Sequence, residues 1–336
     1  MKTLLSVDGG GIRGIIPLAC LVRLESLRGR PCRELFDMVA GTSTGAVIAA
    51  GIALGISARG LLALYRELAR RAFERLPFWQ VLGNLGNHRY SNAFVAETLT
   101  KVGADVPLNQ LPMDVLITAK DVRTGRTDFF VNDNPSNAGL WGTISLKDAV
   151  LASIAAPTYF PAHRGIVRGS EHTWVDGGVG VAGNPCYQVA VEALHYGAGK
   201  YIPGETRMLS FGTGRTPHPI DAGRANLVQW GLWALEEVLE DSADWQTQIT
   251  RREYGATGRL DFRRYQVDLS PDVMLRLGVD VPPGVDVTNI EMDSVWAIDL
   301  LEQIGRAFAD HIDFDDPRGL ELETEMSWKR LAVRRD

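Results

Sequence analysis

At 336 residues, 45% of them hydrophobic and 23% charged, the chain can bury a large core as one domain or as one domain with an appendage. A formal net charge of −6 argues against a nucleic-acid polymer as partner, which would need a basic face. No apolar run reaches the roughly 18 residues of a membrane span, and MKTLLSVDGG is too short in apolar residues for a signal peptide. A cytoplasmic protein is the expectation. Cys20, Cys32 and Cys186 are far apart and lack CxxC spacing. They read as reduced core thiols and not as disulfides or metal ligands.

In chain order, Thr3–Val7 reads as a buried strand, followed by a helix over Ile15–Leu27 with apolar residues at three and four spacing. Phe36–Ala40 is a second strand and Gly45–Leu54 a buried helix. Ser57 caps a helix toward Phe73, whose arginines from Arg59 onward form its wet face. Ser91–Val102 is helical, and Asp114–Asp121 and Thr127–Asn132 are strands joined through Arg123-Thr124-Gly125. Ser145 caps a helix to about Ile154. Then come a short strand at Trp174–Val175, a helix over Pro185–Tyr196 and a strand at Arg207–Phe211. This alternation predicts an α/β fold with a mainly parallel sheet, whose ligands gather at the strands' carboxyl ends. From about Arg224, helical patterns dominate (Asn226–Thr250, Asn289–Phe314, Leu320–Val333), with one strand near Phe262–Leu269.

Three loops carry the chemistry. Asp8-Gly9-Gly10-Gly11-Ile12-Arg13-Gly14 sits between a strand and a helix, where consecutive glycines can aim several N–H groups at one anion. That anion is either a phosphate or the oxyanion of a tetrahedral intermediate, since Gly9, Gly11 and Gly14 also satisfy the dinucleotide pattern GxGxxG. Gly41-Thr42-Ser43-Thr44-Gly45 has the G-x-S-x-G form of a nucleophile elbow, again between strand and helix. Asp176-Gly177-Gly178 follows a strand-like run and leaves a carboxylate with room for a partner. A nucleophilic serine usually takes a histidine base. Of the six histidines, only His163 and His172 lie near Asp176 in sequence, and His195 falls in a helical pattern. A Ser43–Asp176 dyad is the better expectation, with the two histidines as alternatives.

Together, DGGGIRG at 8–14, GTSTG at 41–45 and DGG at 176–178 closely resemble the patatin-like phospholipase family. Residues 155–161 (AAPTYFP), Asn184-Pro185 and Ser210–Gly214 add to the resemblance, which covers roughly residues 1–215. It implies a three-layer α/β/α sandwich with additional C-terminal helices, and hydrolysis of acyl esters in phospholipids or related glycerolipids. It implies no metal and no cofactor. Carried over, Ser43 forms the acyl-enzyme and Asp176 is its general base. The backbone at Gly10 and Gly11, continuing through Ile12 and Arg13, is the oxyanion hole. Asp8, Gly9, Gly14, Gly41, Gly45, Gly177 and Gly178 support the three loops. The third motif has Asp-Gly-Gly where many members have Asp-Gly-Ala. The organisation expected is a catalytic α/β domain over 1–220. A helical portion over 221–336 packs on it as lid or regulatory element, without being an independent domain. The implied partner is a lipid or membrane surface, contacted transiently. A small-molecule activator also fits bacterial enzymes of this kind. Two other functions share the same motifs: an acyltransferase passing the acyl group to an alcohol or lysolipid, and a nucleotide- or anion-sensing protein. Pro77–Leu82, with Phe78 and Trp79 beside a stretch rich in glycine and asparagine, reads as a lid or a packed connection. Trp230 and Trp233 read as a core-facing stripe or as part of the same mouth.

Overall fold

The computed structural model describes residues 1–74, 88–135, 137, 139–216 and 223–324. The Pro77–Leu82 stretch and His218 lie outside them. The strands are β1 (Lys2–Val7), β2 (Met38–Gly41), β3 (Asp114–Asp121), β4 (Arg126–Val131), β5 (His163–Val167), β6 (Ser170–Asp176), β7 (Thr206–Phe211), β8 (Asp261–Val267) and β9 (Gly319–Leu322). They form one sheet in the order β5-β6-β3-β2-β1-β7-β8-β9, with β4 paired to β3. From β3 across to β9 the pairings are parallel. β4, β5 and β6 pair antiparallel. Leu4, Leu5, Val7, Val39 and Ala40 are fully buried, as expected of a parallel sheet covered on both faces.

The covering helices are α1 (Ile15–Arg28), α2 (Cys32–Leu35), α3 (Thr44–Ala53), α4 (Ala58–Ala72), α5 (Ala93–Lys101), α6 (Leu146–Ser153), α7 (Cys186–Val191), α8 (Leu227–Thr250), α9 (Pro271–Leu277) and α10 (Ile298–His311). Local signals explain their ends. The Ser57 side chain accepts the Gly60 N–H and starts α4, Ser145 does the same for α6 through Asp148, and Gly29 ends α1 in the left-handed region. The three cysteines are free and buried. Trp230 and Trp233 on α8 are half-buried, packed edge to face with centroids 5.4 Å apart.

Several elements differ from expectation. β5 was not anticipated, because His163–Val167 carries polar residues and becomes a strand by pairing with β6. Leu320 begins no helix. Gly319–Leu322 takes the open edge of β8 as β9, and the stretch after residue 324 lies outside the described residues. The helix expected over Asn289–Phe314 starts only at Ile298, since Asp286 captures the Thr288 N–H in a 3-10 turn and a second such turn covers Val295–Ala297. The residues after 221 thus bring two strands to the sheet as well as helices, and α10 packs along α1.

One register places the chemistry. β4 runs along one edge of β3, pairing with residues from Leu116 to Asp121. β2 and β6 must therefore share the other edge. Gly41 pairs with Ile117, and Asp176 pairs with Ala119. The antiparallel β6 thus delivers Asp176 just beyond the point where β2 ends.

Candidate active site

β2 ends at Gly41 and α3 begins at Thr44, leaving Ser43 in the bend with φ 54° and ψ −119°. Positive φ at a residue with a side chain costs on the order of 1–3 kcal/mol and persists only where its surroundings enforce it. Two close approaches do so here. A Cβ on Gly41 would lie 2.0 Å from the Gly45 carbonyl carbon, and one on Gly45 would lie 2.2 Å from the Val7 oxygen. The Ser43 N–H donates to Ser153 Oγ at 2.9 Å, a residue of α6 that no motif singled out. Thr42 Oγ1 donates to the Ala182 carbonyl at 2.5 Å, tying the elbow to the loop after Asp176.

Asp176 caps the short 3-10 turn Gly177–Val179, its Oδ1 accepting the Gly178 N–H at 2.8 Å. Gly177 lies against Thr118, where a side chain would collide with its hydroxyl. The Ser43 side chain stands close enough to the Asp176 carboxyl to favour its ionised form. Burial pushes that carboxyl up to about 6, against the opposing pull of the Ser43 side chain and of the Gly178 hydrogen bond. The alternative bases are occupied elsewhere. His163 Nε2 is 3.2 Å from Asp148, His172 Nδ1 is 3.0 Å from Asp121, and neither lines the cleft that holds Ser43. His195 Nε2 is 3.0 Å from the Tyr254 hydroxyl.

The glycine loop is held amide by amide. Asp8 N–H donates to the Phe211 carbonyl at 3.0 Å, and Gly9 N–H to Gly183 at 2.9 Å. Ile12 N–H donates to Met292 at 2.9 Å, and Arg13 N–H to Gly10 at 3.1 Å. The N–H groups of Gly10 and Gly11 have no acceptor among the described residues. The amides of Ile12 and Arg13, expected to extend an anion site, have acceptors within the fold, and Arg13 Nη1 donates to Thr216 Oγ1 at 3.0 Å. Gly14 lies against Thr44, at the start of α1. The Tyr65 hydroxyl donates to the Gly11 carbonyl at 2.5 Å, and Thr213 Oγ1 to the Gly9 carbonyl at 2.6 Å.

Ser43, Asp176, Gly10 and Gly11 line one cleft. Its walls differ by side. Toward α4 and α5 they are apolar, with Leu68, Ala72, Phe73, Val95 and Phe160, while beyond β7 they carry Arg215, Asp244 and Gln266. Sequence reasoning missed Ser153, Tyr65 and Met292. Each acts through long-range hydrogen bonds to motif residues, Tyr65 bonding both the Gly11 carbonyl and the Thr44 hydroxyl, and a single tyrosine or a backbone carbonyl leaves no local pattern. Outside the cleft, Asp121, Asp128 and His172 come within 4.8 Å of one another. They are joined by their own hydrogen bonds, His172 to Asp121 and Trp174 to Asp128.

Comparison with known proteins places these features. The family profile described as patatin-like phospholipase matches residues 5–190. A cGAMP-activated phospholipase of Pseudomonas aeruginosa is 34% identical over 177 residues, 52% of this chain and 52% of its own, so the chain spans about half the length of that relative. A cGAMP-activated phospholipase of Vibrio cholerae is 30% identical over 262 residues, 71% of this chain and 72% of its own. Patatin-like protein 2 of Arabidopsis thaliana is 31% identical over 344 aligned positions, 91% of this chain and 82% of its own.

Proposed function

The chain belongs to the patatin-like phospholipase family, and from that premise we propose that it hydrolyses acyl esters of phospholipids or related glycerolipids through a Ser43–Asp176 dyad. The observation that carries the reading is that Ser43, at the strained bend after β2, and the buried Asp176 carboxylate line one cleft with an apolar wall, close enough for the serine side chain to act on that carboxyl. Asp176 takes the hydroxyl proton as Ser43 Oγ attacks the ester carbonyl. The carbonyl oxygen becomes an oxyanion facing the unpaired N–H groups of Gly10 and Gly11, and one such donor is worth about 2.7–4 kcal/mol to the rate. The intermediate collapses, the leaving alcohol takes the proton from Asp176, and the acyl group stays on Ser43. Water, giving its proton to Asp176, then releases the fatty acid and restores the serine. The apolar wall under α4 and α5 suits the acyl chain, and the substrate is met at a lipid surface. Among the described residues, no helix is long and apolar enough to cross a membrane.

Purified protein on mixed phospholipid vesicles, without added metal, is expected to release fatty acid. Ser43→Ala and Asp176→Asn should each lower the rate by at least about a thousandfold. Release that survives in Ser43→Ala would sink the dyad. A second element comes from the relatives named cGAMP-activated: we extend to this chain a small-molecule activator, with cGAMP as the probe. Added cGAMP should raise both the melting temperature and the hydrolysis rate, and a protein indifferent in both is not switched by it.

A further inference from the structure

The glycine loop carries a buried charge that the reaction does not use. Asp8, 3% exposed, stands two residues before Gly10. Its carboxylate accepts both terminal nitrogens of Arg264, at 2.8 and 2.5 Å, and the Arg264 Nη1 also donates to Ser210 Oγ at 2.9 Å. Arg264 is 1% exposed and comes from β8, across β7 from the strand that ends in the loop. Nothing in the three motifs points to it, and it lies beyond residue 190, where the family match stops.

A buried ion pair is a poor stabiliser. Apolar side chains of the same volume usually hold a core as well or better, so such a pair asks for another reason. Its position supplies one. An unneutralised carboxylate beside Gly10 would oppose negative charge building on an oxygen held by the Gly10 and Gly11 amides, and in a dry site that opposition is strong. Around Gly9 to Ile12, neutral hydrogen bonds from Tyr65 and Thr213 and to Met292 help fix the loop's place. Burial pushes the Asp8 carboxyl above its ordinary range, Arg264 draws it back toward the charged form, and the nearby Asp244 opposes that charge. We propose that Arg264 is a positioning residue for the oxyanion loop. It cancels the charge of Asp8, and its planar fork sets the direction in which the chain leaves β1 toward the two free amides.

This inference rests on the acyl-hydrolase reading, and the test keeps the two apart. The variants are Arg264→Met, Arg264→Lys and the double variant Asp8→Asn/Arg264→Met, each checked for folding by thermal melting. The readouts are kcat and KM on vesicles, the affinity of a long-chain trifluoromethyl ketone whose serine adduct carries an oxyanion, and the affinity of a matching ether lipid that forms no adduct. Arg264→Met should lower kcat and ketone affinity together by about a hundredfold, while KM and ether-lipid affinity move by less than about threefold. Arg264→Lys keeps the charge without the fork and should show the same split at about tenfold. The double variant leaves no uncompensated charge and should recover about tenfold over Arg264→Met. Where Arg264→Met does not fold, the other two variants decide. Wild-type ketone affinity in Arg264→Lys overturns the proposal, as does a parallel fall in ketone and ether-lipid affinity, which a merely structural role would give. A wild type that releases no fatty acid and forms no ketone adduct defeats the acyl-hydrolase reading and this inference with it.

Discussion

Asp176 is a carboxylic acid made costly by its site. Burial lifts its pKa to about 6 from an ordinary value of 3.8, so near neutral pH the ionised form that the proposed dyad uses is held in a dry environment. Two consequences have opposite signs. The proposed dyad requires the ionised form, so kcat/KM should fall as pH drops through about 6, seen in a rate profile on a soluble short-chain ester. Stability runs the other way. A group whose pKa is raised on folding contributes fully below 3.8 and loses that contribution as pH rises through about 6. Asp176→Asn should therefore be inactive yet more stable at pH 8, by up to about 3 kcal/mol, with the gain gone near pH 3.5. Denaturant midpoints at the two pH values check it, and an Asn variant less stable at pH 8 contradicts it. Ser43 is the residue most legible in the sequence, because its positive φ needs small neighbours that appear as Gly41 and Gly45 within five residues. Ser153, which holds the Ser43 amide from 110 residues away, left no such mark.

The elements were legible where the pattern is strong and local. β1, β2, β3, β7 and the helices after them lie within about two residues of where periodicity and caps predict. β5 and β9 were not, since each is a strand only because a neighbouring edge offers hydrogen bonds. Helix packing also depends on partners remote in the chain. Gly305 of α10 faces α1 so closely that a Cβ there would meet Ala19 Cβ at 2.8 Å and Ile16 Cα at 3.0 Å. Gly305→Val should force the two helices apart and cost about 1–3 kcal/mol, read as a lowered urea midpoint. A midpoint unchanged by the substitution would mean that α1 and α10 shift freely. Because α1 starts at the glycine loop, strain in this pair is also strain at the loop.

Across the whole molecule, the three motifs all lie before residue 180, yet the sheet that carries them closes only with β8 and β9. Without the later residues, β7 would expose its edge, Asp8 would lose Arg264, and the Ile12 amide would lose Met292. We therefore expect residues 1–216 alone to lack a cooperative urea transition. A sharp transition in that fragment would show an independent domain. The sequence by itself determined the local chemistry: a strained serine, a loop of consecutive glycines, an aspartate at a strand end, and the β–α alternation that carries them. Those features are local because turns and helix starts depend on residues a few positions apart. Only the tertiary structure decided how Asp176 reaches the serine, through the shared edge of β3 that brings it past the end of β2. It also decided which amides stay unpaired, because Met292 reaches Ile12 from about 280 residues downstream. Such pairings are set by long-range register and packing, which no window of neighbouring residues encodes.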